Sequence, residues 1–205
     1  IANNLGFKKI EEAINYEIID NENKYVKVTG GDIEKLYGLV VIPTTVEIDG
    51  TTYTVTEIAE NAFKGNTKIT GIRIPNTVEN VGANAFENCT ALKYVRGGTI
   101  SSIGRNAFRN CVSLFEMELP TSVVYLGKEA FDGVKALSVN VSNASVIEGA
   151  LLSGVERLSI NLDKLSGTID NYKIVTPENI EYFYLSGGGK TFNNISLESE
   201  ADTVV

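Results

Sequence analysis

A short phrase centred on an Ala-Phe pair occurs four times: IAENAFKGN from Ile58, VGANAFENC from Val81, IGRNAFRNC from Ile103 and LGKEAFDGV from Leu126. Its aromatic residues, Phe63, Phe86, Phe108 and Phe131, stand 23, 22 and 23 residues apart. Aliphatic residues keep fixed offsets around each one. Five before come Ile58, Val81, Ile103 and Leu126, and six after come Ile69, Leu92, Leu114 and Leu137. Eight before come Val55, Val78, Ile100 and Val123. A unit of this length cannot bury its own apolar face, whereas stacked copies share one continuous core, so the period calls for a solenoid.

The same offsets pick out weaker copies further along the chain. Leu152 has Ile147 before it and Leu158 after, and Ile174 has Ile169 and Ile180. About six repeats then run from Val55 to Leu185, with a seventh starting near Ile195. Each unit carries a stretch such as ITGIRIP (Ile69 to Pro75), LFEMELP (Leu114 to Pro120) or IEYFYLS (Ile180 to Ser186). Their L-x-x-I-x-I pattern ends in a two-residue alternation, which fits a strand with one buried face. Identical strands repeated along a solenoid stack in parallel. The NAFKG portion reads as a short helical turn or tight loop whose Phe points inward.

The units ITGIRIPNTVENVGANAFENCTAL (from Ile69) and LFEMELPTSVVYLGKEAFDGVKAL (from Leu114) resemble the bacterial leucine-rich repeats of BspA type. The likeness is close from Val55 to Leu137 and looser beyond. The phrases YVKVTGG and LVVIPTTVEIDGTTYTVTEIAENAF resemble the entry to such domains. The resemblance implies an α/β-type repeat solenoid with a parallel β-sheet on the concave face and short turns or helical turns on the other side. It also implies a secreted or cell-surface protein of an anaerobic bacterium, with adhesion or protein binding as the usual role. The third repeat departs from the pattern at VRGGTI (Val95 to Ile100), and from Ala136 the strands read LSVNV and LSINL, which leaves their register open.

Before about Thr54 the repeat is missing. INYEIIDNENKYVKVTG (Ile14 to Gly30) and VEIDGTTYTVTEI (Val46 to Ile58) read as β-hairpins, the second turning at Asp49-Gly50. We therefore expect one domain, with residues 1–54 as a β-hairpin N-terminal cap and residues 55–205 as the repeat solenoid. GFKKIEEAI (Gly6 to Ile14) reads as a short helix or an unstructured lead. The opening IANNLGFKKIEE has neither an apolar core nor a cleavage site, so we expect a mature or recombinant fragment of a longer protein.

Charge and composition narrow the function. A net charge of −8 with no basic stripe argues against nucleic acid or anionic membrane as partners. No apolar run approaches the ~20 residues that span a bilayer, so no direct membrane insertion is expected. The sequence has no histidine, which removes the commonest general base and zinc ligand.

Candidate sites follow from the repeat. Cys89 and Cys111 occupy one repeat position on adjacent rungs and are open to three readings: a buried thiol ladder, an inter-rung disulfide, or a metal site. YLSGGGKT (Tyr184 to Thr191) lacks the first Gly and the following helix of a phosphate loop and reads as a turn between rungs. DNEN (Asp20 to Asn23) offers oxygen donors for calcium but equally suits a hairpin turn. The outward strand positions supply the candidate binding residues: Arg73, Tyr94, Arg96, Glu116, Glu118, Tyr182 and Tyr184. Tyr and Arg are enriched in binding hot spots.

The expectation is thus an extracellular or cell-surface, non-catalytic module that binds or adheres to a protein or glycan, host extracellular matrix among them. It is expected to be monomeric, with no catalytic residues, no cofactor and no metal. The alternative is a structural spacer displaying other domains of a larger surface protein. A glycan-active enzyme using two carboxylates is the remote alternative.

Overall fold

The computed structural model describes residues 13–117, 122–123, 125–140, 155, 157–161, 169–170, 173–176, 181–186, 192–193 and 196–199. Its organising feature is a parallel sheet made of one strand per repeat: β3 (Gly38–Val41), β6 (Ile69–Ile74), β8 (Tyr94–Gly97) and β10 (Glu116–Met117), in spatial order β10-β8-β6-β3. The L-x-x-I-x-I pattern explains the orientation, because Ile69, Ile72 and Ile74 all point into the core while Arg73 stays exposed. Strand β3 extends this sheet by one rung ahead of the first Ala-Phe unit, pairing in parallel with β6.

A second sheet lines another side of the same coils. In chain order its members are β1 (Ile14–Asp20), β2 (Tyr25–Gly31), β4 (Thr45–Ile48), β5 (Thr51–Ile58), β7 (Asn80–Val81), β9 (Ser102–Ile103) and β11 (Tyr125–Leu126). Strands β1 and β2 form an antiparallel hairpin, as do β4 and β5, in line with both expected hairpins. Asp49 and Gly50 take φ of 49° and 75°, the left-handed pair that a tight hairpin turn needs. From β5 through β11 the pairing is parallel, one short strand per coil.

The Ala-Phe segments are turns, so the helical-turn option does not hold, and no helix occurs among the described residues to support the α of the α/β label. The reason lies in two left-handed positions per coil. Asn61, Asn84, Asn106 and Glu129 have φ between 53° and 60°, and Gly65, Asn88, Asn110 and Gly133 have φ between 58° and 77°. These interrupt any helix and free the intervening amides to bond the next coil. Phe63 N–H donates to Ala85 O (2.7 Å), Phe86 N–H to Ala107 O (2.7 Å) and Phe108 N–H to Ala130 O (2.8 Å).

The four phenylalanines form one column. Adjacent ring centroids lie 5.2, 5.1 and 5.5 Å apart, stacked within 14° of parallel. Beside them runs a column of close approach at Gly82, Gly104 and Gly127, where an added Cβ would strike the backbone of the preceding coil. Asparagines form ladders of their own: Asn106 Nδ2 donates to Asn84 Oδ1 (3.2 Å) and Asn110 Nδ2 to Asn88 Oδ1 (2.9 Å). The first ladder stops at Glu129, which has no amide to donate, and Asn106 Oδ1 is left buried without a partner. Glu129→Asn supplies that donor and suits the left-handed backbone better. It should raise stability by about 1 kcal/mol in urea titration, and an unchanged or lower midpoint would contradict the ladder.

Cys89 and Cys111 are free and buried, which removes the disulfide reading. Each thiol donates to a carbonyl of the preceding coil: Cys89 Sγ to Phe63 O and Cys111 Sγ to Phe86 O, both at 3.1 Å. Asn66 takes this place in the first repeat, donating Nδ2 to Leu36 O (3.1 Å). Burial pushes the Cys89 thiol up to about 12 from an ordinary 9.0, and raises Cys111 as well, with Cys89 adding to the effect. Both folded values exceed the unfolded ones, so the thiols confer no pH dependence below about pH 9 and stability falls as pH rises from there toward 12. At pH 8 a thiol reagent should label neither cysteine until denaturant is added. Rapid labelling of the folded chain would contradict the burial.

Further along, β12 (Ala136–Asn140), β13 (Arg157–Asn161) and β16 (Tyr182–Ser186) form a separate parallel sheet. Leu137 pairs with Leu158 as the offsets predict, but Leu158 then pairs with Phe183, three residues beyond Ile180. The fixed offset therefore fails at that rung, where the sequence has Leu152 and Ile174 at the positions of the earlier phenylalanines. Two further parallel pairs complete this part: β14 (Ile169–Asp170) with β17 (Phe192–Asn193), and β15 (Lys173–Thr176) with β18 (Ser196–Ser199). Leu152, Ile147 and the start of a seventh repeat lie outside the described residues, as does most of GFKKIEEAI.

Candidate binding face

The outer face of the β10-β8-β6-β3 sheet is built from the strand positions that the core does not use. Parallel register aligns Leu39, Gly71, Tyr94 and Glu116 in one row. The next row holds Val41, Arg73 and Arg96. Four of the expected residues are thus brought onto adjacent strands: Arg73, Tyr94, Arg96 and Glu116.

Gly71 decides how Tyr94 sits. The Tyr94 ring lies directly over Gly71, close enough that a Cβ there would run into its Cε2, Cζ and Oη atoms. The Arg96 guanidinium lies over the ring, 5.4 Å from its centroid. Tyr94 is half-buried and held by a bare backbone and a cation, an arrangement that lowers the entropy lost when a ligand docks. Arg73 is exposed on the strand beside Arg96.

The remaining expected residues are placed elsewhere. Tyr182 and Tyr184 belong to β16, an edge strand of the separate β12-β13-β16 sheet, so they do not join the Tyr94 cluster. Tyr184 is half exposed there. Glu118 lies outside the described residues.

Sequence reasoning missed two exposed apolar side chains on or beside this face. Leu39 shares the row of Gly71 and Tyr94, and Phe115, 56% exposed, follows directly in line with Lys93. For Phe115 the signal is present in the sequence, because L-x-x-I leaves two successive positions unburied and strict alternation counts only the second as outward; Leu39 holds that second position, but on a strand ahead of Val55, where the repeat is not legible.

The DNEN turn is occupied by its own hydrogen bonds. Asp20 Oδ1 accepts from the Glu22 and Asn23 amides (2.9 and 2.8 Å), and Asp20 Oδ2 from Asn23 Nδ2 (2.8 Å). The Asn23 bonds, backbone first, hold its carboxyl below the usual range. Asn21 Oδ1 accepts from Tyr53 Oη at 2.8 Å. These contacts are those of a hairpin turn. Of YLSGGGKT, residues 187–191 lie outside the described residues, while Tyr184–Ser186 end strand β16.

A family model for the BspA type leucine rich repeat region matches six copies over residues 45–159, more than half of the chain. The chain belongs to the BspA-type leucine-rich repeat family. No curated protein matches it. Solved structures do. A leucine-rich repeat protein from Bacteroides ovatus is 24% identical with a TM-score of 0.64, covering 90% of this chain and 56% of the other. A leucine rich cell surface protein from Faecalibacterium prausnitzii is 24% identical with a TM-score of 0.58, covering 92% and 54%. A leucine-rich repeat protein from Bacteroides capillosus is also 24% identical, with a TM-score of 0.54 and coverages of 73% and 94%. At these identities the likeness establishes the fold. This BspA-type chain spans about half the length of the first of these and of the cell surface protein.

Proposed function

We propose that this BspA-type chain is an extracellular, non-catalytic recognition module. In this reading the repeats form a curved solenoid, closed at its N-terminal end by the hairpins. The outer face of the β3, β6, β8 and β10 sheet takes a macromolecular ligand at a bacterial cell surface. One observation carries the reading: Tyr94 is seated on Gly71 under Arg96, a preorganised aromatic-cation pair that the core does not require. Surface location draws support from the Faecalibacterium prausnitzii relative in fold, which is a cell surface protein. A binding role also suits the two thiols, which burial keeps protonated and so poor as nucleophiles.

The test is capture of host extracellular proteins and glycans by the purified chain, repeated with Tyr94→Ala. Loss of captured ligand by at least about tenfold, with an unchanged melting curve, supports recognition through this face. Equal capture by both chains places recognition elsewhere, and no capture by either supports the spacer role instead.

A further inference from the structure

The column of phenylalanines does not distinguish one coil from the next. Phe63, Phe86, Phe108 and Phe131 are identical, as are Ala62, Ala85, Ala107 and Ala130 beside them, and the amide bonds that join these turns repeat one pattern. A stack of like units could drop a coil, or take one from a second copy, and still keep this column filled. The residue directly after each phenylalanine removes that ambiguity. Along the stack Lys64, Glu87, Arg109 and Asp132 alternate in sign. Backbone bonds hold them in line at each step: Gly65 N–H donates to Glu87 O (2.7 Å), Asn88 N–H to Arg109 O (2.8 Å) and Asn110 N–H to Asp132 O (2.7 Å). Lys64 Nζ lies 2.7 Å from Glu87 Oε2, and Arg109 Nε 3.1 Å from Asp132 Oδ2, the second an ion pair whose geometry falls short of a hydrogen bond. The Glu87 side chain is only 14% exposed, so salt screens this row less than it screens open surface. Arg105 and Lys128, neighbours at an exposed position of the same turns, are both cationic. Alternation therefore belongs to the row beside the phenylalanines and not to the turns as a whole.

We propose that this row is a register code, which draws each coil to its own neighbour and opposes stacking out of order, within one chain or between copies. It goes beyond the recognition role and does not depend on it. Dropping one coil would set Lys64 against Arg109, or Glu87 against Asp132, like charges in both cases. Attraction in the native stack thus becomes repulsion in the slipped one, although the same apolar side chains meet. A slip of two coils, Lys64 against Asp132, keeps opposite signs, so the code acts on the single-coil slip. Exposed ion pairs add little to stability. The effect of the row is on which coils pair more than on how tightly, as flanking charges set partner choice between coiled-coil helices.

Exchanging the two middle charges tests this. Glu87→Arg with Arg109→Glu keeps the net charge but orders the row as two cations followed by two anions. The native stack then carries two like-charge steps, and the single-coil slip brings opposite charges together instead. Refolded from urea at about 10 mM salt, this variant should give at least about threefold more oligomer than the parent by size-exclusion chromatography. At about 1 M salt, where charges are screened beyond about 3 Å, it should return to the profile of the parent. Glu87→Gln with Arg109→Gln removes the charges without reversing them and should refold as the parent does, even where its urea midpoint drops. Adding Lys64→Glu and Asp132→Lys to the exchange inverts every sign and restores the alternation. It should bring back the parental profile, although Glu129 then faces a like charge at position 109. An exchanged chain that refolds like the parent at low salt overturns the code. So does a defect that persists at high salt, failure to fold included, or that full inversion leaves unrelieved. A defect that the Gln variant shares equally would mark the row as structural support alone and overturn it as well.

Discussion

Phe108→Ala should lower the free energy of unfolding by about 3–5 kcal/mol, the range for emptying a buried aromatic site. Phe108 is fully buried and stacks on two rings, Phe86 at 5.1 Å and Phe131 at 5.5 Å, so truncation removes contacts on both sides. Collapse into the cavity is hindered, because the Phe108 amide is fixed to Ala130 O and the Phe86 amide to Ala107 O. Phe63, at the N-terminal end of the column, stacks on Phe86 alone among the described rings, and Phe63→Ala should cost less. Urea or guanidinium titration of both variants measures the difference. Equal costs would mean that the rings act as separate plugs rather than as a column.

Gly104→Ala should cost about 3 kcal/mol or more, although it adds a single methyl group. Its Cβ would stand 2.5 Å from Ala83 N and 2.7 Å from Gly82 C, both backbone atoms of the preceding coil. A flexible side chain could turn away from such a contact, but this backbone is held by the amide bonds between coils. In the first repeat, where the neighbour is β2 instead of a full coil, Ala59 occupies the equivalent place and its amide bonds to Val28 O at 2.8 Å. Ala59→Gly should therefore change stability little. Thermal melts of the two variants check the contrast, and a Gly104→Ala chain as stable as the parent would refute the close approach.

Much of the fold was legible because the period is enforced by a single large side chain. Where Phe recurs, the strand register follows from counting, and Leu137 with Leu158 shows the offset reaching one rung past the last Phe. Past that point nothing bulky sets the spacing, and Phe183 takes the place that counting gives to Ile180. The turn side was harder to read. NAF followed by Gly or Asn looks like a helical turn in sequence, and only the left-handed conformations at Asn84 and Asn88 and their counterparts turn those amides toward the next coil. Asn66 reads as a lost Cys, yet it makes the same donation to the preceding chain as the two thiols do.

The candidate face was half legible for a related reason. Strand alternation identifies Arg73, Tyr94 and Arg96 as outward, and all three sit on one face. Alternation says nothing of what lies under a side chain. The seat of Tyr94 depends on a glycine 23 residues earlier, and the exposure of Phe115 on the irregular start of the L-x-x-I pattern.

The stacked column is most directly tested by nuclear Overhauser contacts in a chain with isotope-labelled phenylalanine. Ring protons of Phe86 should show contacts to those of both Phe63 and Phe108, and those of Phe108 to those of Phe131. Backbone contacts should link Gly71 to Tyr94 and Tyr94 to Glu116 in the pattern of parallel strands. Rings that contact only their own coil, or the close Hα–Hα pairs of antiparallel strands between residues 69–74 and 94–97, would contradict the coil stacking and the binding face built on it.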